Sequence, residues 1–120
     1  MDFYELISGT ELLGEAKEIR VSSRFQVNGK EILWKIRPIS AKRWREIKKE
    51  EDHWSAFIVA CVQYPNLEDP ALQESYGAKN GTDLVKKMLY AGEYLRLLEQ
   101  VKALNGFEKR KEALYITAKN

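Results

Sequence analysis

The chain of 120 residues contains one cysteine, one histidine and three prolines, and it has no long hydrophobic run. One cysteine cannot form an internal disulfide, so we expect the protein in a reducing compartment. One cysteine and one histidine cannot supply the ligands of the usual zinc sites, so we expect no metal. The sequence also lacks the roughly 18 consecutive apolar residues of a membrane-spanning helix. The start "MDFYELISG" has no basic region before an apolar run, so no secretory signal is expected.

Side chains suited to catalysis are equally scarce. His53 lies in the charged stretch "EEDHW" and is predicted to be a solvated surface histidine. Cys61 lies in an apolar run without a basic neighbour, which favours a small buried hydrophobic residue over a nucleophile. On one straight helix the two residues would be about 12 Å apart, too far for a hydrogen-bonded pair. Glycine motifs for phosphates or dinucleotides are absent, so the sequence predicts no catalytic residue, no cofactor and no enzymatic activity.

The composition is that of a globular protein. Hydrophobic residues make up 44% of the chain and charged residues 32%. The net charge of +2 gives no general reason to expect nucleic acid or an anionic membrane as a partner. We predict a weakly ordered N-terminal arm over residues 1–14 and a single α+β domain over residues 15–120.

The dipeptide Asn28-Gly29 separates two runs of alternating hydrophobicity, which is the strongest short-range signal for a β-hairpin. A type I′ turn here places Val27 opposite Lys30 and, if the pairing continues, Val21 opposite Ile36. This register puts apolar side chains on one face and mostly polar ones on the other. Two strands are marginally stable alone, so the helices that follow must cover the apolar face.

Helix signals dominate the rest of the chain and predict a bundle of about four or five helices packed against the hairpin. Ser40 is the expected N-cap of the first helix, and the apolar run 54–64 is the expected central helix, which Pro65 stops. Further start and stop signals follow: Asp69 and Pro70 (N-cap and N1), Gly77 (end), Thr82 (N-cap), Gly92 (break) and Asn105-Gly106-Phe107 (C-cap). Tyr64 and Tyr76 either anchor the turn between two of these helices to the core or face a partner, and we favour the core.

Basic residues suggest an alternative function, a small nucleic-acid-binding or regulatory domain. The stretch "KRWREIKK" is basic around Trp44, and the polar face of the hairpin adds Arg20, Arg24, Lys35 and Arg37. Against this alternative, the acidic stretch "EEDH" follows directly, and no helix-turn-helix or RNA-binding motif is present. We therefore favour a solvated charged face and expect no nucleic acid as a partner.

Five short motifs occur in a fixed order along the chain: "SSRFQVNGK", "YPNL", "KKML", "GEY" and "NGF". Together they resemble the tail assembly chaperones of tailed phages and of phage-like PBSX-type elements, the XkdN-like family. The resemblance covers roughly residues 15–120 and is strongest over residues 54–107. None of the motifs is catalytic, so their specificity lies in their combination and order. Residues 1–14 have no clear match, and Ala91 stands where the family would have a proline.

The resemblance implies a non-enzymatic helper that binds the tape measure protein in the host bacterial cytoplasm and keeps it soluble during tail morphogenesis. Such chaperones are displaced as tail tube subunits polymerise. The tail tube protein is therefore a second candidate partner, and the chaperone is absent from the mature virion. Self-association is compatible with this role, and no membrane is involved. Many members are made in two lengths by a ribosomal frameshift, and the terminal Lys119-Asn120 fits AAA-AAY slippery codons, which predicts that this is the short form.

A holding chaperone needs accessible apolar surface that accepts amphipathic helices. The candidate partner-binding residues all lie in the C-terminal part of the chain: Tyr94, Leu97, Phe107, Leu114 and Tyr115. Aromatic residues make up 11% of the chain and can supply both core and partner contacts. The same side chains could instead be ordinary core residues, and their burial distinguishes the two interpretations.

Overall fold

Five short strands and five helices follow one another over residues 16–107, the part of the chain that the computed structural model describes. The strands are β1 (Lys17–Ile19), β2 (Gln26–Val27), β3 (Lys30–Glu31), β4 (Trp34–Ile36) and β5 (Val62–Tyr64). The helices are α1 (Ala41–Ile47), α2 (His53–Cys61), α3 (Pro70–Ser75), α4 (Gly81–Met88) and α5 (Ala91–Leu104). The antiparallel N-terminal strands and the helices after them confirm the predicted α+β class. The predicted arm over residues 1–14 lies outside the described residues.

The hairpin turn between β2 and β3 has the predicted geometry. Asn28 and Gly29 both have positive φ, 53° and 77°, as a type I′ turn requires at its two central positions. Val27 pairs with Lys30, as the turn predicts. Few residues other than Asn and Gly tolerate this left-handed backbone, which explains why the dipeptide is so specific a signal.

The predicted register is wrong beyond the tip of the hairpin. Ile36 pairs with Lys17 instead of Val21. A turn closed by the bond from the Phe25 N–H to the Ser22 carbonyl (3.3 Å) interrupts the first strand, so the outer pairing starts again with a shift. The shift is an even number of residues and therefore keeps the apolar side chains on the same face. Val21 accordingly remains buried although it lies outside the strands.

The helix predicted over residues 54–64 ends earlier, at Cys61. Residues Val62–Tyr64 instead form β5, which pairs with β4 and completes a three-stranded sheet in the order β1-β4-β5. The Arg37 N–H donates a hydrogen bond to the Cys61 carbonyl oxygen (2.8 Å), so pairing to the sheet begins where the helix ends. The pattern of a short apolar run does not distinguish a helix from a strand. Here residues 62–64 form a strand because they pair with the free edge of β4.

Two predicted helix starts are confirmed. The Ser40 hydroxyl accepts a hydrogen bond from the Arg43 N–H (3.1 Å) and caps α1. The Asp69 carboxylate accepts one from the Ala71 N–H (3.0 Å) and caps α3, with Pro70 in the first helical position. Both caps satisfy backbone N–H groups that have no partner inside the helix.

Two details around α4 differ from the prediction. Asn80, not Thr82, caps α4: its side-chain oxygen accepts the Asp83 N–H (2.9 Å), and the Thr82 hydroxyl donates to the same oxygen (2.8 Å). Both residue types are good N-caps, and the path of the chain selects the earlier one. The break expected at Gly92 falls at residues 89–90, between α4 and α5, so Gly92 lies in the first turn of α5.

The core lies where α2 meets the sheet and packs against α1, α4 and α5. This central position of α2 is the one that its apolar character predicts. The largest fully buried side chains come from the sheet, from helices α1, α2, α4 and α5, and from the loop before α3: Trp34, Ile36, Ile47, Phe57, Ile58, Leu67, Leu84, Val85, Leu97 and Val101.

The close approach of α4 to α2 depends on Gly81. A Cβ atom there would lie 3.0 Å from Cγ1 of Val59 and 3.2 Å from the Leu67 carbonyl oxygen. We therefore expect Gly81→Ala to lower the free energy of unfolding by about 1–2 kcal/mol, measured by urea denaturation. The matched control is Gly92→Ala, where nothing lies within 4 Å of the added atom. Gly92→Ala is expected to stabilise by up to about 1 kcal/mol, and equal destabilisation by both variants would contradict the packing argument.

Candidate functional site

The structure separates the predicted partner-binding residues. Leu97 is 1% exposed and belongs to the core, so it is not available at the surface in this conformation. Tyr94 is half-buried, and its hydroxyl is hydrogen-bonded to the Ser55 hydroxyl (2.8 Å). Phe107 is half-buried and lies among other aromatic rings. The remaining two predicted residues, Leu114 and Tyr115, lie outside the described residues.

Phe107 belongs to an aromatic cluster that we define by Trp44, His53, Trp54, Phe57 and Phe107. The Trp44 ring is central, with its centroid 5.3 Å from Trp54, 4.8 Å from Phe57 and 5.6 Å from Phe107. The His53 ring lies 5.1 Å from Trp54. Most pairs are tilted or edge-on, which are the favourable geometries for aromatic rings. Helices α1 and α2 and Phe107, two residues beyond the Asn105 C-cap of α5, thus contribute to one site.

The C-terminal end of α5 brings Phe107 to this cluster. Gly106 has φ of +87°, and the Phe107 N–H donates a hydrogen bond to the Lys102 carbonyl oxygen (2.9 Å), so the chain folds back over the end of the helix. The Asn105 side-chain oxygen accepts the Ile39 N–H (2.8 Å) and ties this end to the segment before α1. The C-cap is therefore confirmed, and it directs Phe107 toward α1 and α2.

The aromatic cluster has a buried side, at Phe57, and an open side, where its other rings are partly exposed to solvent. Phe57 is fully buried, whereas Trp44, His53, Trp54 and Phe107 are half-buried. His53 is therefore less solvated than predicted, because it packs against two indoles at the start of α2. Large, rigid, partly exposed rings of this kind are typical of the residues that dominate binding energy at protein interfaces.

A cation lies over two rings of the cluster. The Lys102 ammonium is 4.9 Å from the centroid of Trp54 and 6.0 Å from that of Phe107. In such a cation–π contact, the electron-rich face of the aromatic ring attracts the ammonium group. The exposed part of the cluster thus offers both apolar area and a positive charge to a partner.

A second site is an ion pair that joins the hairpin region to α5. The Arg24 guanidinium donates two hydrogen bonds to the Glu93 carboxylate (2.8 and 2.7 Å) and one to the Met88 carbonyl oxygen (2.6 Å). Its central carbon lies 4.3 Å from the Tyr90 ring and 4.5 Å from the Phe25 ring. Arg24 therefore bonds both to Met88, the last residue of α4, and to Glu93 in the first turn of α5.

The environment of Glu93 explains its ionisation. The Arg24 hydrogen bonds hold the pKa of the Glu93 carboxyl at about 2, although burial acts in the opposite direction. The same carboxylate accepts the Tyr90 N–H (2.8 Å), which caps α5. Two of the motifs behind the family resemblance, "SSRF" and "GEY", thus meet in one ion pair, in which Glu93 is buried and Arg24 is partly exposed.

Several residues of the predicted basic surface are paired with acids. Arg20 contacts Glu31 at 2.6 Å, and Arg43 contacts Glu46 at 3.3 Å. Arg24, in the ion pair described above, is a third. These pairs reduce the net positive charge of the hairpin face and of α1, so the structure offers less support for a nucleic-acid interface than the sequence does.

The single cysteine is not poised for chemistry. Cys61 is 1% exposed, and burial raises the pKa of its thiol to about 11, although the Asn105 amide donates to the sulfur (3.5 Å). At neutral pH it is therefore a buried thiol, as the sequence predicts. Within residues 16–107, no group of three His, Cys, Asp or Glu side chains could hold a metal ion. No helix in that range has the length and apolar character needed to cross a membrane.

The expected burial of Tyr64 and Tyr76 is wrong. Tyr64 is 53% exposed and Tyr76 is 39% exposed. Tyr64 lies in β5 and pairs with the exposed Lys35, whereas Val62 pairs with the buried Ile36. A register shift between these two pairs interrupts the alternation along β5, so Tyr64 faces outward while Val62 faces the core. A helix through residue 64 would have given a different direction, so the unpredicted strand accounts for the error at Tyr64.

Sequence reasoning missed most of the aromatic cluster. The pattern of α1 marks Trp44 and Ile47 as inward-facing residues, and the apolar run 54–64 predicts burial of Trp54. Both tryptophans are instead half-buried, with their ring centroids 5.3 Å apart where α1 contacts α2. The available signal is that two of the three tryptophans flank the polar stretch 45–53, which has to turn at the surface.

Known proteins similar to this chain share its fold and most of its length. A family model described as "Phage XkdN-like tail assembly chaperone protein, TAC" matches residues 50–119. The uncharacterized protein YqbN of Bacillus subtilis (strain 168) is 24% identical over 139 residues, which cover 99% of this chain and 93% of YqbN. A crystal structure of the protein YqbN has a TM-score of 0.73 at 25% identity, over 78% of this chain and 87% of that one. The family match includes Trp54, Glu93 and Phe107, and the hairpin precedes it.

Proposed function

Because this chain belongs to the phage XkdN-like family of tail assembly chaperone proteins, we propose that it binds the tape measure protein and keeps it soluble while a phage tail assembles. Membership of this family implies partners among phage tail proteins. The tape measure protein is long and helical, and such a protein exposes apolar stripes until the tail tube surrounds it. A small holding protein must therefore cover amphipathic helices reversibly.

The observation that supports this proposal is the open side of the aromatic cluster. Trp44, Trp54 and Phe107 present partly exposed rings above the fully buried Phe57. The buried ring keeps the exposed ones in place, so little side-chain entropy is lost when a partner binds. Aromatic anchors on a rigid base suit the apolar stripe of a partner helix.

We place the partner contact at Trp44, Trp54, Phe107 and Lys102, which keeps one of the residues predicted from sequence. Tyr94 lies elsewhere on α5, bonded to Ser55, and stabilises the fold. The role of Leu114 and Tyr115 stays a prediction.

The proposed activity is non-catalytic. Cys61 is a buried thiol whose pKa is raised to about 11. The His53 ring packs against two indoles, whereas a catalytic histidine would be hydrogen-bonded to a base or a nucleophile. Neither candidate for chemistry is therefore placed to react. The chaperone would act in the host bacterial cytoplasm and leave before the virion is complete, as tail tube subunits compete for the tape measure protein.

Co-expression tests this proposal. The chain is produced with and without the tape measure protein encoded in the same phage or prophage, recognised as its very long tail gene. We expect the tape measure protein to be soluble and to co-purify with the chain when both are present, and to be insoluble alone. An unrelated long helical protein is the control and should not co-purify. A tape measure protein that stays insoluble in the presence of the chain contradicts the proposal.

A further inference from the structure

The open side of the aromatic cluster leaves apolar area exposed in the part of the chain that the structure describes. Trp44, Trp54 and Phe107 are each half-buried above the fully buried Phe57. Partly exposed rings that lie close together on a rigid base favour the binding of an amphipathic segment. The charge around the rings and the position of the chain ends indicate which segment that is.

Two lysines lie beside the rings. The Lys102 ammonium is 4.9 Å from the centroid of Trp54. Lys48 follows Trp44 by four residues, at the C-cap of α1, so both lie on the same side of that helix. An acidic group is therefore the complement of this surface.

Most acids in the neighbouring sequence are engaged elsewhere. The segment 42–53 contains four acids. Glu46 is paired with Arg43 at 3.3 Å, and Asp52 is paired with Lys86 of α4 at 2.7 Å. Glu50 lines a separate depression, together with Arg43, between α1 and α4. The acid that complements the two lysines therefore has to come from another segment or from a partner.

The N-terminal part of the chain enters the described fold next to this surface. Lys17, the first residue of β1, pairs with Ile36, the last residue of β4. Three residues further on, the Ile39 N–H donates a hydrogen bond to the side chain of Asn105 (2.8 Å), which is two residues before Phe107. The residues before Lys17 are thus attached at the end of the sheet that adjoins the end of α5. Fifteen residues span up to about 50 Å when extended, so they can reach the rings.

The N-terminal segment, which we define as residues 1–15, has a composition that complements this surface. It contains four acids and no lysine or arginine. Phe3, Leu6 and Ile7 are spaced so that they would share one face of a helix. The other end of the chain, residues 108–120, contains four bases and two acids, so the lysines beside the rings favour the N-terminal segment.

We propose that residues 2–7 of this chain bind in cis to the open side of the aromatic cluster. Their apolar side chains contact the rings, and Asp2 and Glu5 lie near the two lysines. The tether gives the segment an effective concentration of about 1 mM, so a contact with a dissociation constant of about 1 mM is occupied about half of the time. The segment then covers the rings until a partner with a longer apolar stripe displaces it.

Paramagnetic broadening in the full chain tests this docking. Ser8→Cys provides a site for a nitroxide label, and Cys61 is not labelled because it is a buried thiol. In this labelled chain we expect the nitroxide to broaden the indole N–H signals of Trp44 and Trp54 in nuclear magnetic resonance spectra. Such broadening requires that the N-terminal segment spends part of its time close to the rings.

Two variants of the labelled chain show whether the contact is specific. Phe3→Ser/Leu6→Ser removes apolar contacts with the rings and is expected to reduce the broadening by about threefold or more. Glu5→Lys places like charges together and should reduce the broadening by about twofold. Glu74→Lys is the matched control, because it makes the same change in charge at an exposed position on α3 and should leave the broadening unchanged.

Three results would overturn the proposal, provided that circular dichroism shows every variant to be folded. The first is that the label broadens neither indole signal, and the second is that Phe3→Ser/Leu6→Ser broadens them as the parent does. The third is broadening that passes between separate chains in a mixture of isotope-labelled and nitroxide-labelled protein, since the occupant is then a second copy. If a label at Thr117→Cys broadens the signals and one at Ser8→Cys does not, residues 108–120 occupy the rings instead.

The effect of docking on partner binding is a second measurement, and this part rests on the proposed function. If the segment covers the rings in about half of the molecules, Phe3→Ser/Leu6→Ser should raise the affinity for fragments of the tape measure protein about twofold. Equal affinity of the two proteins contradicts competition at the rings. Absence of binding by both proteins contradicts the proposed function, whereas the broadening experiment decides the docking independently.

Discussion

Replacement of Arg24 by alanine is expected to lower the free energy of unfolding by about 3 kcal/mol. The variant keeps the Glu93 carboxylate, which is 4% exposed, and removes its cation. It also removes the bond to the Met88 carbonyl oxygen (2.6 Å) and the contact with the Tyr90 ring. A buried charge without a partner costs more than the intact pair contributes. Urea denaturation of the two proteins measures the difference.

Arg20→Ala is the matched control for Arg24→Ala. Arg20 also pairs with a glutamate, at 2.6 Å, but its side chain is 64% exposed and that of Glu31 is 31% exposed. Water screens this pair, so the expected loss is below about 1 kcal/mol. The double variant Arg24→Ala/Glu93→Gln removes the orphaned charge and should recover part of the loss. If Arg24→Ala and Arg20→Ala lower the free energy of unfolding equally, the Arg24–Glu93 pair contributes no more to stability than the exposed Arg20–Glu31 pair.

The same pair gives the stability a pH dependence with a defined sign. The Arg24 hydrogen bonds lower the pKa of the Glu93 carboxyl from 4.5 to about 2. A carboxyl whose pKa is lowered by folding stabilises fully above the unfolded value, and this contribution is lost as the pH falls from 4.5 to about 2. Since Arg24 is about one-third exposed, screening limits the loss to about 2 kcal/mol. Glu93→Gln should flatten the curve of unfolding free energy against pH in this range.

Replacement of Trp54 by alanine is expected to weaken binding to the tape measure protein by about 30-fold or more, which corresponds to about 2 kcal/mol. Trp54 is the ring that the Lys102 ammonium covers, and it contacts Trp44, Phe57 and Phe107. Truncation removes a large anchor from the centre of the proposed contact. Isothermal titration with soluble fragments of the tape measure protein measures the change.

Two further variants separate a lost contact from a damaged fold. Leu95→Ala removes an apolar side chain that is 58% exposed and lies outside the aromatic cluster, so we expect less than about a threefold change in affinity. Lys102→Gln removes the cation and keeps a polar side chain that is one atom shorter, so it should reduce affinity by about two- to fivefold without loss of stability. Full affinity of folded Trp54→Ala would place the partner contact elsewhere on the protein.

The residues of the motifs that identify the family mainly stabilise the fold. Arg24 of "SSRF" and Glu93 of "GEY" form the ion pair between the hairpin region and α5, and Gly106 of "NGF" allows the left-handed turn that places Phe107. Tyr64 of "YPNL" is the exception, because it is exposed on the outward side of the three-stranded sheet. Motifs whose residues make structural contacts identify the fold. Partner-binding residues have to be identified from their exposure to solvent.

Features that depend on a few neighbouring residues can be predicted from the amino-acid sequence. Asn28-Gly29 set the hairpin turn, Ser40 and Asp69 set two helix starts, and Gly106 set the end of α5. Each depends on backbone conformations or cap hydrogen bonds within about four residues, so local residue type is enough. The thiol character of Cys61 followed from the apolar run around it in the same way.

Contacts between distant residues are set by the tertiary structure. Arg24 and Glu93 lie 69 residues apart in sequence, and the three segments that form the aromatic cluster are joined only in the fold. The third strand, and with it the outward direction of Tyr64, depended on the free edge of β4. No local pattern encodes these contacts, because the direction of a side chain is fixed by the packing of whole elements and by hydrogen bonds between distant segments.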